Sequence, residues 1–270
     1  MDANEARPRS PTLFLGLLFV LSIPFYFFAR RALFPAPLPF FPTGALMALL
    51  PMCIALGLTA RERGWRAAGS LLASAVNLRK VHLLWWAPIL LVLPVTYYLA
   101  QKLSSALGPP LPPGGQLWQA PLMYLSEFAV LFVLAIGEEV GWMGYLARPL
   151  TSRWGALGAS LAIGVVWAAW HVVPYYAAGH TTHWVVWQCI FTVLLRVLIF
   201  WASSNNGGSL VAAEIIHAES NIGYRTFPNN GALYDPFATA LVLGGWVVII
   251  ILLWDARTLD RLRLRRPAAA

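Results

Sequence analysis

The chain has 270 residues, of which 59% are apolar and only 11% are charged, whereas soluble domains carry about 25% charged residues. This composition and the mean hydropathy of +0.65 exclude an ordinary soluble protein. The net charge of +8 suits either nucleic acid or an anionic membrane surface, and the hydropathy favours the membrane, with no nucleic-acid partner. Both cysteines lie inside apolar runs, which excludes a disulfide framework.

Apolar runs long enough to cross a membrane as helices, about 20 residues each, recur along the chain. Eight are predicted, at residues 11–28, 40–60, 83–100, 118–145, 155–178, 184–204, 209–223 and 237–254. The seventh is short and contains Glu214, His217 and Glu219, but an Asn-Asn-Gly-Gly turn marks its start. The sequence therefore predicts an all-α, polytopic transmembrane helical bundle that forms a single integral-membrane domain over residues 1–270.

Arginine and lysine residues are distributed unevenly between the two sides of the predicted bundle. If both termini are cytoplasmic, the cytoplasmic segments hold fourteen of these residues and the outer loops hold four. By the positive-inside rule this predicts a multi-pass inner (plasma) membrane protein with cytoplasmic N- and C-termini. The segment 61–82 is expected to lie on the cytoplasmic surface, either as an interfacial helix or as a solvated connector.

Polar side chains that lipid would reject are concentrated in or at the edges of the later spans. They are Glu127, Glu138, Glu139, His171, Arg196, Glu214, His217, Glu219 and Asn221. An acid near the centre of a span costs roughly 2.5 to 3.5 kcal/mol unless it is paired, protonated or in contact with water. Helical spacing places His217 and Asn221 on one face of the seventh span, and Trp167 one turn from His171 on the fifth. Such a concentration indicates a functional site.

Three short motifs carry a family resemblance. They read EEVGWMGY at 138–145, WAAWH at 167–171 and HAESN at 217–221. In order and placement they resemble the motifs EExxxR, FxxxH and HxxxN of the CAAX-protease and bacteriocin-processing family of intramembrane endopeptidases, also called the abortive-infection family. The resemblance covers residues 118–225, the motif-bearing catalytic core. Met143 stands where the family has Arg, and Arg148 or Arg196 are candidates to replace that cation.

The resemblance implies peptide-bond hydrolysis within the membrane by Glu138, Glu139, His171, His217 and Asn221. We predict that Glu138 is the general base that activates a water and that Glu139 orients the site. His171 would hold the water, while His217 and Asn221 would donate hydrogen bonds to the oxyanion. Supporting or substrate-pocket positions are predicted at Trp167, Met143, Trp142 and Arg148.

Alternatives to this mechanism stay open at this point. The favoured version requires no cofactor, whereas the competing version uses zinc bound by Glu139, His171 and His217. The expected partners are membrane lipid and a membrane-associated peptide or protein substrate. Other functions are a catalytically silent relative acting as a binding or immunity protein, or a proton or ion pathway. Solvent access is expected from the cytoplasmic side, because Arg148 and Arg153 follow the first motif.

Overall fold

The structure, a computed structural model, describes residues 9–28, 43–112 and 121–260. Its α-helices are α1 (Pro11–Phe28), α2 (Leu50–Arg63), α3 (Trp65–Ser74), α4 (Trp86–Leu107), α5 (Pro121–Glu139), α6 (Ala147–Ala177), α7 (Thr182–Asn205), α8 (Leu210–Gly223) and α9 (Pro236–Leu253). Short 3-10 helices precede α2 and α4 and follow α3 and α8. The predicted all-α fold class is confirmed.

Six segments of the described chain are long and apolar enough to cross a membrane. One of these is a 54-residue unit, Tyr124–Ala177, which joins the predicted fourth and fifth spans, and α8, with 14 residues, is too short to qualify. If the long unit is counted as two spans and α8 is added, the described chain contains the eight predicted elements of a multi-pass membrane protein. The first residues of two predicted spans, 40–42 and 118–120, lie outside the described residues.

The chain reverses between α5 and α6 in two steps. A π-helical segment, Val140–Leu146, follows α5 directly, and π-helices are rare and frequently found at functional sites. The helical path then breaks at Gly155, whose φ of 73° and ψ of 172° suit glycine. Ala156 N donates a hydrogen bond of 2.8 Å to the Arg257 carbonyl, which fixes the turn beside the end of α9. The later part of α6 therefore returns alongside α5 and brings the first two motifs together.

Helix α8 lies inside the bundle and is buried along most of its length. Ser209 caps its N-terminus by accepting a hydrogen bond from Ala212 N, and every residue from 209 to 219 is buried. Neighbours on α4, α5 and α7 surround it. Because protein and not lipid covers this helix, it can be short and can carry Glu214, His217 and Glu219.

The two ends of the bundle differ in charge. One end, the basic face, carries Arg9, Arg61, Arg63, Arg66, Arg79, Lys80, Arg148, Arg153 and Arg257. Contacts join its parts, since Arg9 donates to the carbonyls of Gly144 and Tyr145 and Lys80 donates to that of Gly207. The other end, the loop face, consists of residues 178–181 and 224–235. Residues 7, 30–31 and 261–266, which entered the charge count, lie outside the described residues.

Candidate active site

Glu139 is fully buried at the end of α5 and contacts side chains from two other helices. Arg196 Nη1, on α7, lies 2.9 Å from Oε1 and 2.7 Å from Oε2. His217 Nδ1, on α8, lies 2.8 Å from Oε1. Because a carboxylate paired with a guanidinium accepts hydrogen bonds, Nδ1 of His217 is the donor. These three groups link α5, α7 and α8 through buried, charge-assisted hydrogen bonds.

Glu138 lies on the other side of the same imidazole ring. Its Oε2 accepts hydrogen bonds from Trp167 Nε1 at 2.7 Å and from Trp142 Nε1 at 3.3 Å. Its Oε1 is 3.9 Å from His217 Nε2, beyond direct hydrogen-bond distance. Adjacent helical residues are offset by roughly 100°, and this offset lets the two carboxylates meet opposite edges of one ring.

Trp167 is 4% exposed and contacts Glu138, Arg196 and both histidines of the site. The Cζ atom of Arg196 lies 4.0 Å from its ring centroid, a cation–π contact. The rings of His217 and His171 approach it edge-on, with centroid distances of 4.9 and 5.7 Å. A phenylalanine at this position could make these ring contacts but could not donate a hydrogen bond to Glu138.

A cavity of about 490 Å³ borders this cluster. Trp167, His171 and Asn221 are among its lining residues, whereas Glu138, Glu139 and His217 are not. His171 Nδ1 lies 2.9 Å from the Trp167 carbonyl and must donate, so the neutral ring has an unprotonated Nε2. The cavity extends to the loop face, where Tyr224 and Ala232 are exposed.

We expected access from the side of Arg148 and Arg153, whereas the cavity that borders the cluster opens at the loop face. At the basic face the π-helical segment is covered, because Arg9 occupies the carbonyls of Gly144 and Tyr145. The cavity instead lies among α6, α7, α8 and the loop before α9. The sequence places a residue on one side of a membrane, but the side on which a pocket opens depends on how the helices pack.

The structure distinguishes the two cations that could replace the motif arginine missing at Met143. Met143 is half-buried in the π-helical segment and packs against the hydrophobic core. Arg148 is exposed on the basic face, away from the acidic pair. Arg196 is fully buried and contacts Glu139, so it is the one of the two candidate cations that reaches this carboxylate.

The remaining acids of the spans lie apart from these contacts. Glu127 pairs with Arg225 at 3.1 Å, and both side chains are partly exposed. Glu214 is fully buried, and neither of its carboxylate oxygens has a hydrogen-bond partner among the described residues. Glu219 is also buried. None of these three contacts the Glu138 carboxylate in the described hydrogen bonds.

The predicted zinc ligands Glu139, His171 and His217 do not form a free donor set. Both oxygens of Glu139 and Nδ1 of His217 are already engaged in the ion-pair network with Arg196. Within ranges 9–28, 43–112 and 121–260, no group of three or more His, Cys, Asp or Glu side chains is arranged to hold a metal ion. The donors present therefore do not fit that zinc site, and metal dependence stays a prediction.

Sequence reasoning missed the hydrogen bond from Trp167 to Glu138 and did not choose between Arg148 and Arg196. The sequence did contain a signal that favours Arg196 over Arg148. Helix α7 contains Arg196 in an apolar run and has no acidic residue of its own. A buried guanidinium in such a helix must pair with an acid from another helix.

Comparisons with known proteins agree with the three motifs. Residues 120–223 match the family model described as type II CAAX prenyl endopeptidase, Rce1-like. A curated relative, CAAX prenyl protease 2 of Methanococcus maripaludis, is 25% identical over 190 residues, which cover 64% of this chain and 68% of the relative. The matched segment spans α5 to α8 and contains every residue of the cluster. The resemblance predicted from the motifs is confirmed: residues 120–223 are similar to the Rce1-like CAAX prenyl endopeptidases.

Proposed function

We propose that this chain is an intramembrane endopeptidase that hydrolyses peptide bonds of membrane-associated or lipidated substrates with a water activated by Glu138. The observation that carries the proposal is the position of Glu138. Two indole donors hold its Oε2, while Oε1 lies 3.9 Å from His217 Nε2. A carboxylate held by one oxygen leaves the other to take a proton from water. The Rce1-like match supports this class of reaction.

In the proposed reaction Glu138 acts first as a base and then as an acid, while His171, His217 and Asn221 bind the water and the oxyanion. Glu138 takes a proton from the water as the water oxygen bonds to the peptide carbonyl carbon, and His171 Nε2 accepts a second hydrogen bond from that water. The charge that develops on the carbonyl oxygen is stabilised by the Asn221 amide and by a proton on His217 Nε2. The C–N bond then breaks as Glu138 returns its proton to the leaving amine.

Charge balance in the buried cluster supports a protonated His217. Glu138 and Glu139 carry two negative charges, whereas Arg196 supplies one positive charge, and all of them are buried. A second proton on His217 balances the cluster, and unbalanced buried charge is costly. Because Nδ1 already donates to Glu139, this proton is on Nε2. Arg196 thus supplies the cation that Met143 does not.

The same geometry weighs against the other functions. A proton or ion pathway needs polar groups spread through the membrane depth, whereas Glu138, Glu139 and His217 converge on one another. The silent-relative hypothesis rests on the missing motif arginine at Met143. The buried contact between Arg196 and Glu139 removes much of its basis.

Cleavage of a lipid-anchored peptide library by the reconstituted full chain tests the proposal. Glu138→Gln and His217→Ala should each lower the rate by about 10²- to 10⁴-fold, because each removes a reacting group from an intact pocket. Arg153→Gln, an exposed substitution on the basic face, is the matched control and should leave the rate unchanged. Equal turnover in all variants would reveal a contaminating peptidase and contradict the proposal.

Metal analysis and strong chelators in the same assay separate the two hydrolytic mechanisms. The Glu138 mechanism predicts turnover that survives chelation in protein without stoichiometric metal. Bound zinc at one equivalent, together with chelator-sensitive turnover, would overturn it in favour of a zinc-activated water. If the wild type did not cleave any peptide and Met143→Arg gained activity, the hypothesis of a catalytically silent relative would be supported instead.

A further inference from the structure

Helix α3 lies on the basic face between two candidate membrane spans. The span Ala45–Arg63 ends directly before it, and the span Leu83–Leu107 begins shortly after it. Gly64, whose φ is 85°, separates α3 from α2. Because both spans reach the membrane surface on this face, the segment between them lies at the level of the lipid headgroups.

The inner side of α3 packs onto elements that carry the candidate site. Ala68 and Ala75 are buried, and Leu71 packs against the hydrophobic core. A Cβ placed on Gly144, in the π-helical segment, would be 2.8 Å from Leu71 Cδ1 and 3.4 Å from Leu210 Cδ1. Helix α3 therefore lies directly over the π-helical segment, beside the first residue of α8.

The residues that follow α3 hold the turn before α8. His82 N donates a hydrogen bond of 2.9 Å to Asn206 Oδ1, and Lys80 Nζ donates one of 3.3 Å to the Gly207 carbonyl. Asn206 in turn donates to the Ala202 carbonyl of α7. The segment 65–82 thus contacts the basic-face ends of the elements that carry the first and third motifs.

The outer side of the same segment presents apolar side chains that the described chain does not cover. Trp65, Leu72 and Val76 are 82%, 45% and 69% exposed. Trp65 and Leu72 are seven residues apart, which is two helical turns, and Val76 follows four residues later. An apolar stripe that includes a tryptophan, next to membrane spans, is typical of a helix that lies in the membrane interface.

Cations surround this stripe without a matching number of acids. Arg61, Arg66 and Arg79 are exposed. Glu62 is the only acidic residue between positions 61 and 80, and its Oε1 accepts a hydrogen bond of 2.7 Å from the Tyr145 hydroxyl. A surface with cations around an apolar stripe is complementary to anionic headgroups that lie above acyl chains.

We propose that this outer side binds anionic phospholipids of the bilayer surface. The α3 surface consists of Arg61, Trp65, Arg66, Leu72, Val76 and Arg79. Its arginines bind the headgroups, while its apolar side chains enter the upper acyl region. Through the inner contacts of α3, the bound lipid stabilises the π-helical segment and the start of α8. The inference concerns lipid binding and stability, so it holds or fails independently of the proposed peptidase function.

Thermal unfolding of the full chain in vesicles of defined composition tests the role of charge. The vesicles contain phosphatidylcholine alone, or phosphatidylcholine in which about one lipid in three is replaced by phosphatidylglycerol. The anionic lipid should raise the unfolding temperature of the wild type by roughly 5 °C. A variant with Arg61→Gln, Arg66→Gln and Arg79→Gln should lose most of this rise. The matched control with Lys at the same three positions keeps the charges and should keep the rise. No rise in the wild type, or an equal rise in the glutamine variant, would overturn the proposal.

Fluorescence quenching tests whether lipid, and not a soluble partner, covers the stripe. The background is the full chain with Cys53→Ser and Cys189→Ser, to which Val76→Cys or Ser152→Cys is added and labelled with a small fluorophore. Ser152 is exposed on the basic face outside α3 and serves as the control position. Lipids that carry a nitroxide just below the headgroup should quench the probe at position 76 more strongly than the probe at position 152. Equal or weaker quenching at position 76 would place the stripe outside the lipid and overturn the proposal.

Discussion

Trp167 combines two roles that are separable by substitution. Its ring contacts Arg196 and both histidines, while its indole N–H holds Glu138 Oε2 at 2.7 Å. Trp167→Phe restores the family residue and keeps the ring but removes the donor. Because hydrogen bonds to charged groups contribute about 1.5–3 kcal/mol, we expect kcat to fall by roughly 10- to 100-fold. Steady-state cleavage of a lipid-anchored peptide measures this, with KM changing much less than kcat.

Trp201→Phe is the matched control, because Trp201 is buried on α7 and its indole N–H has no hydrogen-bond partner among the described residues. This substitution should leave kcat unchanged. An unaltered kcat in Trp167→Phe would mean that the indole donor does not position the base, and that the family phenylalanine is equivalent to tryptophan here.

Arg196 is predicted to stabilise the fold as well as the site. Arg196→Met leaves Glu139 buried without its cation, and removing one partner of a buried ion pair costs about 3–5 kcal/mol. We expect a large drop in the thermal unfolding temperature in detergent, together with loss of cleavage. Arg225→Met breaks the partly exposed pair with Glu127 and should cost only about 0–1 kcal/mol.

Moving the cation tests whether Arg196 replaces the motif arginine. Position 143 is one helical turn beyond Glu139, so Met143→Arg in the Arg196→Met background returns a positive charge near the stranded carboxylate. Part of both the stability and the cleavage should return, whereas Met143→Arg alone should change activity only modestly. If the double variant were no more stable and no more active than Arg196→Met, the idea that Arg196 replaces the motif arginine would be contradicted.

The sequence predicts which residues form the cluster better than it predicts the contacts between them. Glu138, Glu139, His171, His217 and Asn221 are detectable because lipid rejects them and because helical spacing groups them. The pairing of Arg196 with Glu139 depends on the rotation of α7 relative to α5, which no local pattern encodes. The predicted roles of these residues, and the absence of a required metal, stay predictions.

At the scale of helices, close packing of α2 against the π-helical segment supports the two carboxylates. Gly141 lies two residues after Glu139, and a Cβ placed on it would be 2.7 Å from both the carbonyl carbon and the oxygen of Pro51. These are backbone atoms of α2, so no side chain can rotate away. The absence of a side chain at Gly141 therefore lets α2 approach the segment that follows the acidic pair.

Gly141→Ala should separate α2 from this segment and disturb the site. Overpacking costs about 1–3 kcal/mol, and the displaced segment should also lower the cleavage rate. Gly57→Ala is the control, because Gly57 lies on α2 itself and a Cβ added there would meet no neighbouring atom within 4 Å. That substitution should be neutral or stabilising by up to about 1 kcal/mol, since alanine favours helix. Thermal unfolding that ranks the two variants in the opposite order would contradict the packing argument.

The sequence predicts the helices better than it predicts their interruptions. Within the described residues, hydropathy places seven of the predicted spans on helices, and the Asn-Asn-Gly-Gly turn locates the eighth, α8, which is too short to qualify by length. The π-helical segment and the break at Gly155 pack against Pro51 and Arg257, which are far away in sequence. Local periodicity contains no information about such contacts, so these two features could not be predicted.

At the scale of the whole molecule, the topology of the bundle places the basic face and the cavity at opposite ends. The basic face closes one end of the motif-bearing helices, where Arg9 binds the carbonyls of Gly144 and Tyr145. The cavity opens at the other end. A signal that fixes the basic face on one side of the membrane therefore also places the mouth of this cavity towards the other side.

Exposed arginines around α3 are predicted to set this orientation. Replacing Arg61, Arg63, Arg66 and Arg79 by Gln removes four exposed charges. Each is worth about 1 kcal/mol near an anionic surface, so the cytoplasmic preference should weaken and a fraction of molecules should insert inverted. Labelling of Ser152→Cys by an impermeant maleimide in intact cells should then rise from background. Lys102→Gln, an exposed change outside the basic face, should leave it at background. Continued protection of Ser152→Cys in the fourfold variant would show that these arginines do not orient the chain.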